Sequence, residues 1–212
     1  MSLALLHTSP VHVPVFDALR DAHHPGLVVR HLVYEDLLGR AGALGPEAVA
    51  GDVEALVNRA VADGAAAVLC TCSTIGGVAE AAAVRLGVPV LRVDRPMAAA
   101  AVRAGRVAVL AAHPATLEPT RALLAQEAER AGERAVDVRT VLVDGAWERF
   151  EAGDQDGYLD LVAAAVDAVT DADVIVLAQA SMAGAVTRSE TRIPVLSSPR
   201  PGLDAAVAAA AR

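Results

Sequence analysis

The most reactive side chains of this chain are two cysteines, Cys70 and Cys72, which stand two positions apart. They follow an apolar run and precede a predicted helix over residues 75–86. A thiol between a strand end and the first amides of a helix is favoured as the thiolate, which is a nucleophile and a proton carrier. The alternative is that a cysteine is only a small buried hydrophobic residue. We predict that alternative for Cys70, which lies deeper in the strand, and a chemical role for Cys72.

Polar side chains that could bind a substrate follow this strand and three others at their carboxyl ends. Hydroxyls and loop amides in such places can hold a carboxylate, and an amide side chain can both donate and accept. Each of these residues also has a structural interpretation, as a helix cap or a buried hydrogen-bonding group. For His7, at the end of the first strand, the structural interpretation is preferred. The candidate binding residues are Thr8, Ser9, Ser73, Thr74, His113, Thr116, Gln179 and Ser181.

Two arginines, Arg95 and Arg200, follow the short last strand in each half of the chain. Either would suit an anionic substrate, although an arginine held at the surface between two lobes is the simpler interpretation.

The two cysteines are too close along one strand for a relaxed disulfide, and no second Cys/His cluster completes a metal site. The phosphate-binding motifs GxxxxGK followed by Ser or Thr, and GxGxxG, do not occur. Neither a metal nor another cofactor is therefore predicted.

Three segments of the first half recur in the second half in the same order, which indicates a duplicated unit. The matched pairs are residues 4–10 with 108–114, residues 68–76 with 176–184, and residues 89–102 with 194–207. The last pair shares Pro-Val-Leu followed by Arg-Pro, without a gap. Features common to all parallel-sheet proteins explain the first two matches better than the third.

Short apolar runs alternate in both halves with alanine-rich stretches of helical periodicity. Strands that are apolar throughout and separated by helices are typical of a parallel sheet covered on both faces. We therefore predict an α/β fold of two pseudo-symmetric parallel-sheet lobes with a cleft between them. The first lobe is predicted over 1–102, joined by the C-terminal helix 199–212, and the second over 103–198. Ligands bind beyond the carboxyl ends of parallel strands, so the loops of Cys72 and Gln179 are expected to face each other there.

The composition argues against several classes of partner. The formal net charge is −8, all 18 basic residues are arginine and no basic run occurs, so nucleic acid is not an expected ligand. No apolar stretch approaches the ~18 residues of a membrane span, and no basic leader begins the chain, so a cytoplasmic protein without a membrane partner is expected. Because aromatic residues make up only 2% of the chain, small aliphatic side chains must fill the core.

These features together resemble the aspartate/glutamate racemase superfamily, which includes hydantoin racemases, maleate isomerases and arylmalonate decarboxylases. The resemblance covers essentially the whole chain, and residues 176–182 are similar to the stretch that carries the second catalytic cysteine of hydantoin racemases. It implies a cofactor-independent enzyme that binds a small carboxylate or amino acid between two lobes. In such enzymes two cysteines exchange protons with opposite faces of the α-carbon. The resemblance is also compatible with a homodimer.

Carried over to this sequence, the first cysteine is Cys72, or Cys70 if the register shifts by two residues. Gln179 stands where the second cysteine is expected, and an amide cannot exchange a proton at neutral pH. The resemblance therefore implies a single-cysteine racemase or isomerase, with Cys72 as acid, base or nucleophile. Two alternatives stay open. One is a decarboxylase or lyase that uses a single thiol as proton donor, and the other is a non-catalytic protein that binds small carboxylates.

Overall fold

The computed structural model describes residues 2–83, 86–133 and 136–212, and its chain forms two structural units. The first unit comprises the residues up to Asp94 together with Pro199–Arg212, and the second comprises Arg95–Ser198. Each unit contains a four-stranded sheet in which every pairing is parallel. The predicted α/β class with two parallel sheets is confirmed.

The first unit alternates strands and helices along the chain, and its sheet has the order β2-β1-β3-β4. Its strands are β1 (Ser2–His7), β2 (Val28–Val33), β3 (Ala67–Cys70) and β4 (Val90–Arg92). Its first helices are α1 (His12–His23), α2 (Asp36–Leu44), α3 (Ala50–Ala62) and α4 (Gly76–Ala82), with a 3-10 turn at Pro46–Val49. The helix predicted over 75–86 corresponds to α4, and its positions 84 and 85 lie outside the described residues.

The central strands β1 and β3 separate two apolar layers of the first unit. Successive side chains of a strand point to opposite faces. Leu6 and Cys70 therefore pack on one face, in the cluster that contains residues of α2, α3 and α4. Leu5 and Leu69 pack on the other face, against Phe16 of α1. Because both faces are covered, these strands are apolar in consecutive positions instead of alternating with polar residues.

The second unit repeats this arrangement with the order β6-β5-β7-β8. Its helices are α5 (Arg95–Ala101), α6 (Leu117–Ala131), α7 (Ala146–Glu151) and α8 (Gln155–Asp167). Its strands are β5 (Arg106–Ala111), β6 (Asp137–Leu142), β7 (Val174–Leu177) and β8 (Val195–Ser197), with 3-10 turns at Pro114–Thr116 and Ala180–Thr187. Helix α5 belongs to this unit because Met97, Ala98 and Ala101 pack with residues of β5 and β7. The sequence repeat had grouped residues 95–102 with the first lobe.

The chain returns to the first unit with its last helix, α9 (Pro199–Ala210). Leu203 and Ala206 of this helix complete the same apolar cluster as Leu5 and Leu69. The approach is close at Gly202, where an added Cβ would lie 2.8 Å from the Val93 Cα and closer still to the Val93 carbonyl oxygen. Glycine at this position therefore allows α9 to pack directly on the backbone that follows β4.

None of the described helices is both long enough and apolar enough to span a lipid bilayer.

Candidate functional site

The carboxyl ends of β1 and β3 bring one group of candidate residues to the same edge of the first sheet. The strands are neighbours, Leu6 pairs with Cys70, and the N–H of Thr71 donates to the Leu6 carbonyl at 2.9 Å. The loop after β1 and the segment between β3 and α4, which we call the thiol loop (residues 71–75), therefore begin side by side. These two loops contain the candidates Thr8, Ser9, Cys72, Ser73 and Thr74.

The two cysteines have different environments. Cys70 is the last residue of β3, is completely buried, and its Sγ lies 3.6 Å from the Cys72 carbonyl oxygen, to which the thiol donates. Burial raises the pKa of the Cys70 thiol, so that this group stays protonated at neutral pH. Cys72 lies in the thiol loop and keeps 8% of its surface exposed. Both cysteines are buried members of the same apolar cluster, and of the two only Cys72 retains exposed surface.

A chain of histidines supports the thiol loop from the β1 side. His7 Nδ1 lies 2.7 Å from Thr71 Oγ1, and His7 Nε2 lies 2.8 Å from Nδ1 of His31. His31 Nε2 in turn lies 3.2 Å from a carboxylate oxygen of Asp17. Burial, reinforced by the nearby rings of His12 and His31, lowers the pKa of His7 to about 3, so its ring is neutral at neutral pH. His7 is thus a buried residue that anchors Thr71.

A buried ion pair supports the thiol loop from the β4 side. Arg92 is 4% exposed and Asp94 is fully buried, and the guanidinium holds both carboxylate oxygens at 2.6 and 2.8 Å. Nη2 of the same arginine donates to the Ser73 carbonyl at 3.2 Å. Neither residue of this pair is among the candidates predicted from the sequence. Its signal was an arginine at the end of an apolar strand with an aspartate two residues later, a spacing that places both on one face.

In the second unit, Gln179 joins the loop after β7 to the loop after β5. Its Oε1 accepts hydrogen bonds from the backbone N–H of Ala112 at 2.7 Å and of His113 at 3.0 Å. The amide therefore satisfies two adjacent backbone donors within its own unit. The sequence predicts that this amide either caps the following helix or contacts a ligand. Its oxygen caps the neighbouring loop, and the ligand role stays a prediction.

The strand ladders make Gln179 the structural equivalent of Cys72. The pairs that define the equivalence are Leu6 with Cys70 in the first sheet and Leu110 with Leu177 in the second. Cys72 and Gln179 each stand two residues beyond the paired position. The ungapped sequence match of 68–76 with 176–184 aligned Cys72 with Ala180 and was one residue off. The hydrogen bonds between strands define which residues of the two repeats are equivalent, whereas a few identical residues in a short segment do not.

This equivalence identifies a pair of backbone donors beside the thiol loop. The counterparts of Ala112 and His113 in the repeat are Thr8 and Ser9, whose side chains are 5% exposed and half-buried, respectively. Within the described residues, no group accepts a hydrogen bond from the backbone N–H of Thr8 or Ser9. In the second unit an amide oxygen occupies the corresponding position, so an oxygen ligand suits it in the first unit as well.

The remaining candidates of the second unit have partners close to them. His113 Nδ1 accepts from the Ala115 N–H at 3.1 Å, and its ring meets the edge of Trp147 with centroids 4.4 Å apart. Partial burial lowers the pKa of His113, which favours the neutral ring with the proton on Nε2. Ser181 Oγ lies 2.8 Å from the hydroxyl of buried Tyr158. The candidate Thr116 is 1% exposed.

Neither of the two arginines that match in the repeat belongs to these strand-end loops, since Arg95 lies in α5 and Arg200 in α9. Arg95 forms an ion pair with Glu127 of α6, and Arg200 lies on the exposed side of α9 with its Nε 3.8 Å from Asp204. Both interactions are of the kind expected for structural surface arginines. In the part of the chain that the structure describes, no group of three or more His, Cys, Asp or Glu residues is arranged to hold a metal ion.

A model of the Asp/Glu/hydantoin racemase family matches residues 13–212 of the chain. No curated protein matches the chain in sequence.

Solved structures of similar fold include glutamate racemases and an arylmalonate decarboxylase. A glutamate racemase from Thermus thermophilus, in complex with beta-chloro-D-alanine, is 19% identical with a TM-score of 0.74 and covers 98% of this chain and 79% of that chain. A glutamate racemase isoform from Bacillus anthracis is 15% identical with a TM-score of 0.75, covering 98% and 80%. The Gly74Cys mutant of arylmalonate decarboxylase is 21% identical with a TM-score of 0.63, covering 100% and 94%. At these identities the similarity establishes the fold.

Proposed function

Because the chain belongs to the Asp/Glu/hydantoin racemase family, we propose that it is a cofactor-independent isomerase or racemase that acts on a small carboxylate through a single thiol, that of Cys72. The observation that carries the proposal is the difference between the two equivalent positions. One unit presents a thiol at the end of its third strand, and the other presents an amide whose oxygen is bound to its own backbone. A thiol can exchange a proton or attack carbon, and an amide can do neither at neutral pH.

The burial of the two cysteines supports Cys72 as the working thiol. Cys70 has no exposed surface and its pKa is raised by burial, so it is a poor source of thiolate. Cys72 retains some exposed surface, and it follows Thr71, whose side chain is anchored by His7. A reactive group on an anchored loop can be held in one orientation toward a substrate, which is what efficient proton transfer requires.

The backbone N–H groups of Thr8 and Ser9 are proposed to bind a carboxylate oxygen of the substrate. They have no acceptor within the described residues, whereas the equivalent pair in the second unit binds the oxygen of Gln179. Two adjacent N–H donors also suit the negative charge that grows on a carboxylate when its α-proton is removed. The neighbouring Ser73 and Thr74 are proposed to contribute to the same pocket.

The test is turnover of a panel of small carboxylates in D2O, followed by 1H NMR and chiral chromatography. The panel contains both enantiomers of aspartate and glutamate, a 5-substituted hydantoin, maleate and an arylmalonate. The proposal predicts cis-trans conversion of maleate by addition and loss of the thiolate, or deuterium entering at the α-carbon, with interconversion of enantiomers where solvent supplies the proton to the face opposite the thiol. Replacement Cys72→Ser is expected to lower turnover by about 100-fold or more, since the thiol carries the chemistry. The matched variant Cys70→Ser should stay within a few fold of wild type.

Other outcomes would contradict the proposal in distinguishable ways. Release of CO2 with one deuterium in a single enantiomer of the product would identify a decarboxylase that uses the thiol only as proton donor. Tight binding of a carboxylate without conversion, unchanged in Cys72→Ser, would identify a binding protein. Turnover that is equal in Cys72→Ser and wild type would remove Cys72 from the mechanism.

A further inference from the structure

We infer that Arg92, held by Asp94, is a positioning residue that fixes the thiol loop and thereby the orientation of Cys72. The inference rests on the proposed function only in that the oriented thiol is taken to be the reactive one. Arg92 acts through the backbone of the loop and is not itself placed to bind a substrate anion, because its guanidinium is buried and already holds a carboxylate through two hydrogen bonds.

Burial of this ion pair is not explained by stability alone. Removing two charges from water costs free energy that their attraction only partly returns, and apolar residues of similar volume are often equally stable at such places. A charged pair at the edge of an apolar sheet therefore suggests a second role. The guanidinium supplies what an apolar side chain cannot, which is a donor to the Ser73 carbonyl at 3.2 Å.

The contacts of Arg92 leave the thiol loop little freedom. Ser73 is held by Arg92 on one side of Cys72, and Thr71 is held on the other side by His7 and by the backbone of Leu6. Cys72 thus lies between two anchored neighbours. The carbonyl of Cys72 itself accepts from the buried Cys70 thiol.

Gly76, the first residue of α4, shows how closely the arginine packs on this segment. A Cβ added to Gly76 would lie 2.9 Å from the Cβ of Arg92 and 3.0 Å from its Nε, distances at which one of the groups must move. At the next residue, Gly77, an added Cβ would lie 3.7 Å from Arg92 Nη1, an ordinary contact. The helix that follows the thiol loop therefore packs tightly against Arg92 at Gly76 but not at Gly77.

The internal repeat associates this pair with the thiol. In the ladders Cys70 pairs with Arg92, and Leu177 pairs with Ser197. The second sheet therefore has Ser197 in place of Arg92, and Pro199 takes the place of Asp94 in the repeat. The unit with the thiol has the buried pair, and the unit with the amide lacks it.

The decisive variant is Arg92→Met with Asp94→Leu, which removes both charges together and leaves no unpaired charge buried. We expect its melting temperature to stay within about 4 °C of wild type, as an apolar replacement of a buried pair allows. The Ser73 contact is lost, and we expect iodoacetamide to alkylate Cys72 about tenfold faster because the loop opens locally. Cys70 is the internal monitor, since global opening would expose both thiols, whereas release of the loop exposes only Cys72.

Two further comparisons test the inference even if the double variant fails to fold. Gly76→Ala, which displaces Arg92, should accelerate alkylation of Cys72, and Gly77→Ala should not. The exposed pair in the variant Arg106→Met with Asp173→Leu is the control for loss of an arginine–aspartate pair as such. With a substrate found in the turnover test, the Arg92 variants should lose about tenfold or more in kcat with a smaller change in KM, as expected for misplacement of a reactive group.

Unchanged alkylation of Cys72 in both the double variant and Gly76→Ala would overturn the inference. Parallel acceleration at Cys70 and Cys72 would also overturn it, because it would reveal general destabilisation. Faster alkylation of Cys72 alone, in a protein that converts no carboxylate, would support the positioning role and refute the proposed function.

Discussion

The side-chain oxygen of Gln179 lies 2.7 Å from the backbone nitrogen of Ala112 and joins the ends of two neighbouring strands in the second unit. At the equivalent place in the first unit stands Cys72, whose shorter side chain cannot make the same bridge. The two sheets therefore share one backbone arrangement, but the equivalent position has a different role in each. In the second unit the position closes the strand ends with an internal hydrogen bond, and in the first it carries a thiol.

Replacement Gln179→Ala should destabilise the protein by removing the acceptor for two backbone N–H groups. We expect a loss of roughly 1–3 kcal/mol in the free energy of unfolding, the usual penalty for a buried donor left without an acceptor. Urea denaturation at neutral pH measures it. Gln179→Glu keeps an oxygen at the same distance and should stay near wild type. Gln155→Ala, at an exposed amide on α8, is the control, and an equal loss there would refute the structural role of Gln179.

Alkylation of the folded protein should distinguish the two cysteines. Cys70 is fully buried with a raised pKa, and Cys72 is 8% exposed, so we expect one iodoacetamide adduct to form before unfolding and two after it. Intact-mass spectrometry counts the adducts. The native adduct should disappear in Cys72→Ser and persist in Cys70→Ser. Equal labelling of both thiols in the folded protein would contradict the burial described for Cys70.

Acid should destabilise the first unit through its buried histidines. His12 is 7% exposed, its Nδ1 has no hydrogen-bond partner among the described residues, and burial lowers its pKa from 6.5 to about 4. Between these two values the unfolded chain binds more protons than the folded one, so stability falls as the pH falls. His12→Leu should therefore recover about 2 kcal/mol of the unfolding free energy that wild type loses between pH 7 and pH 5.

Urea midpoints at the two pH values test this expectation. His23→Leu, at the exposed end of the same helix, is the matched control and should keep the pH dependence of wild type. If His12→Leu loses as much stability as wild type on acidification, the buried ring of His12 is not the source of the effect.

Replacement Gly202→Ala should weaken the packing of α9 on the first unit. The new methyl group would overlap the backbone of Val93, which cannot move without disturbing β4, and we expect a loss of roughly 1–3 kcal/mol. Gly51→Ala on α3 is the opposite case, because nothing lies within 4 Å of the added methyl group. It should stabilise by roughly 0.5–1 kcal/mol through helix propensity. Thermal melting of both variants is the measurement, and a neutral Gly202→Ala would show that α9 can shift without cost.

The fold could be predicted because its signals are local. The apolar run Leu3–Leu6 and the repeated Pro-Val-Leu segments identify buried parallel strands, and alternation with alanine-rich stretches identifies the helices between them. The helices α2 and α7 were not predicted. They are short, and Gly39 and Gly42 in the first and paired aromatics in the second obscure the pattern.

The supports of the candidate site could not be predicted, because they join residues that are distant in sequence. Thr71 meets His7 across 64 positions, and Ser73 meets Arg92 across 19. From the sequence alone, a histidine at the end of one strand and an arginine at the end of another could equally be surface residues. Only the order of strands in the sheet brings them to the thiol loop, and strand order is not encoded in any one segment.

The position of α9 after the second unit has a consequence for how the protein is made. The second unit is continuous, and all of its residues leave the ribosome before α9 does. It can fold as soon as it emerges, since domains generally fold as units during synthesis. Phe16 of α1 can pack on the face of Leu5 and Leu69 early, but the part of this face that Leu203 and Ala206 cover stays open through synthesis of the whole second unit. The unit that carries the thiol is therefore the last to be completed.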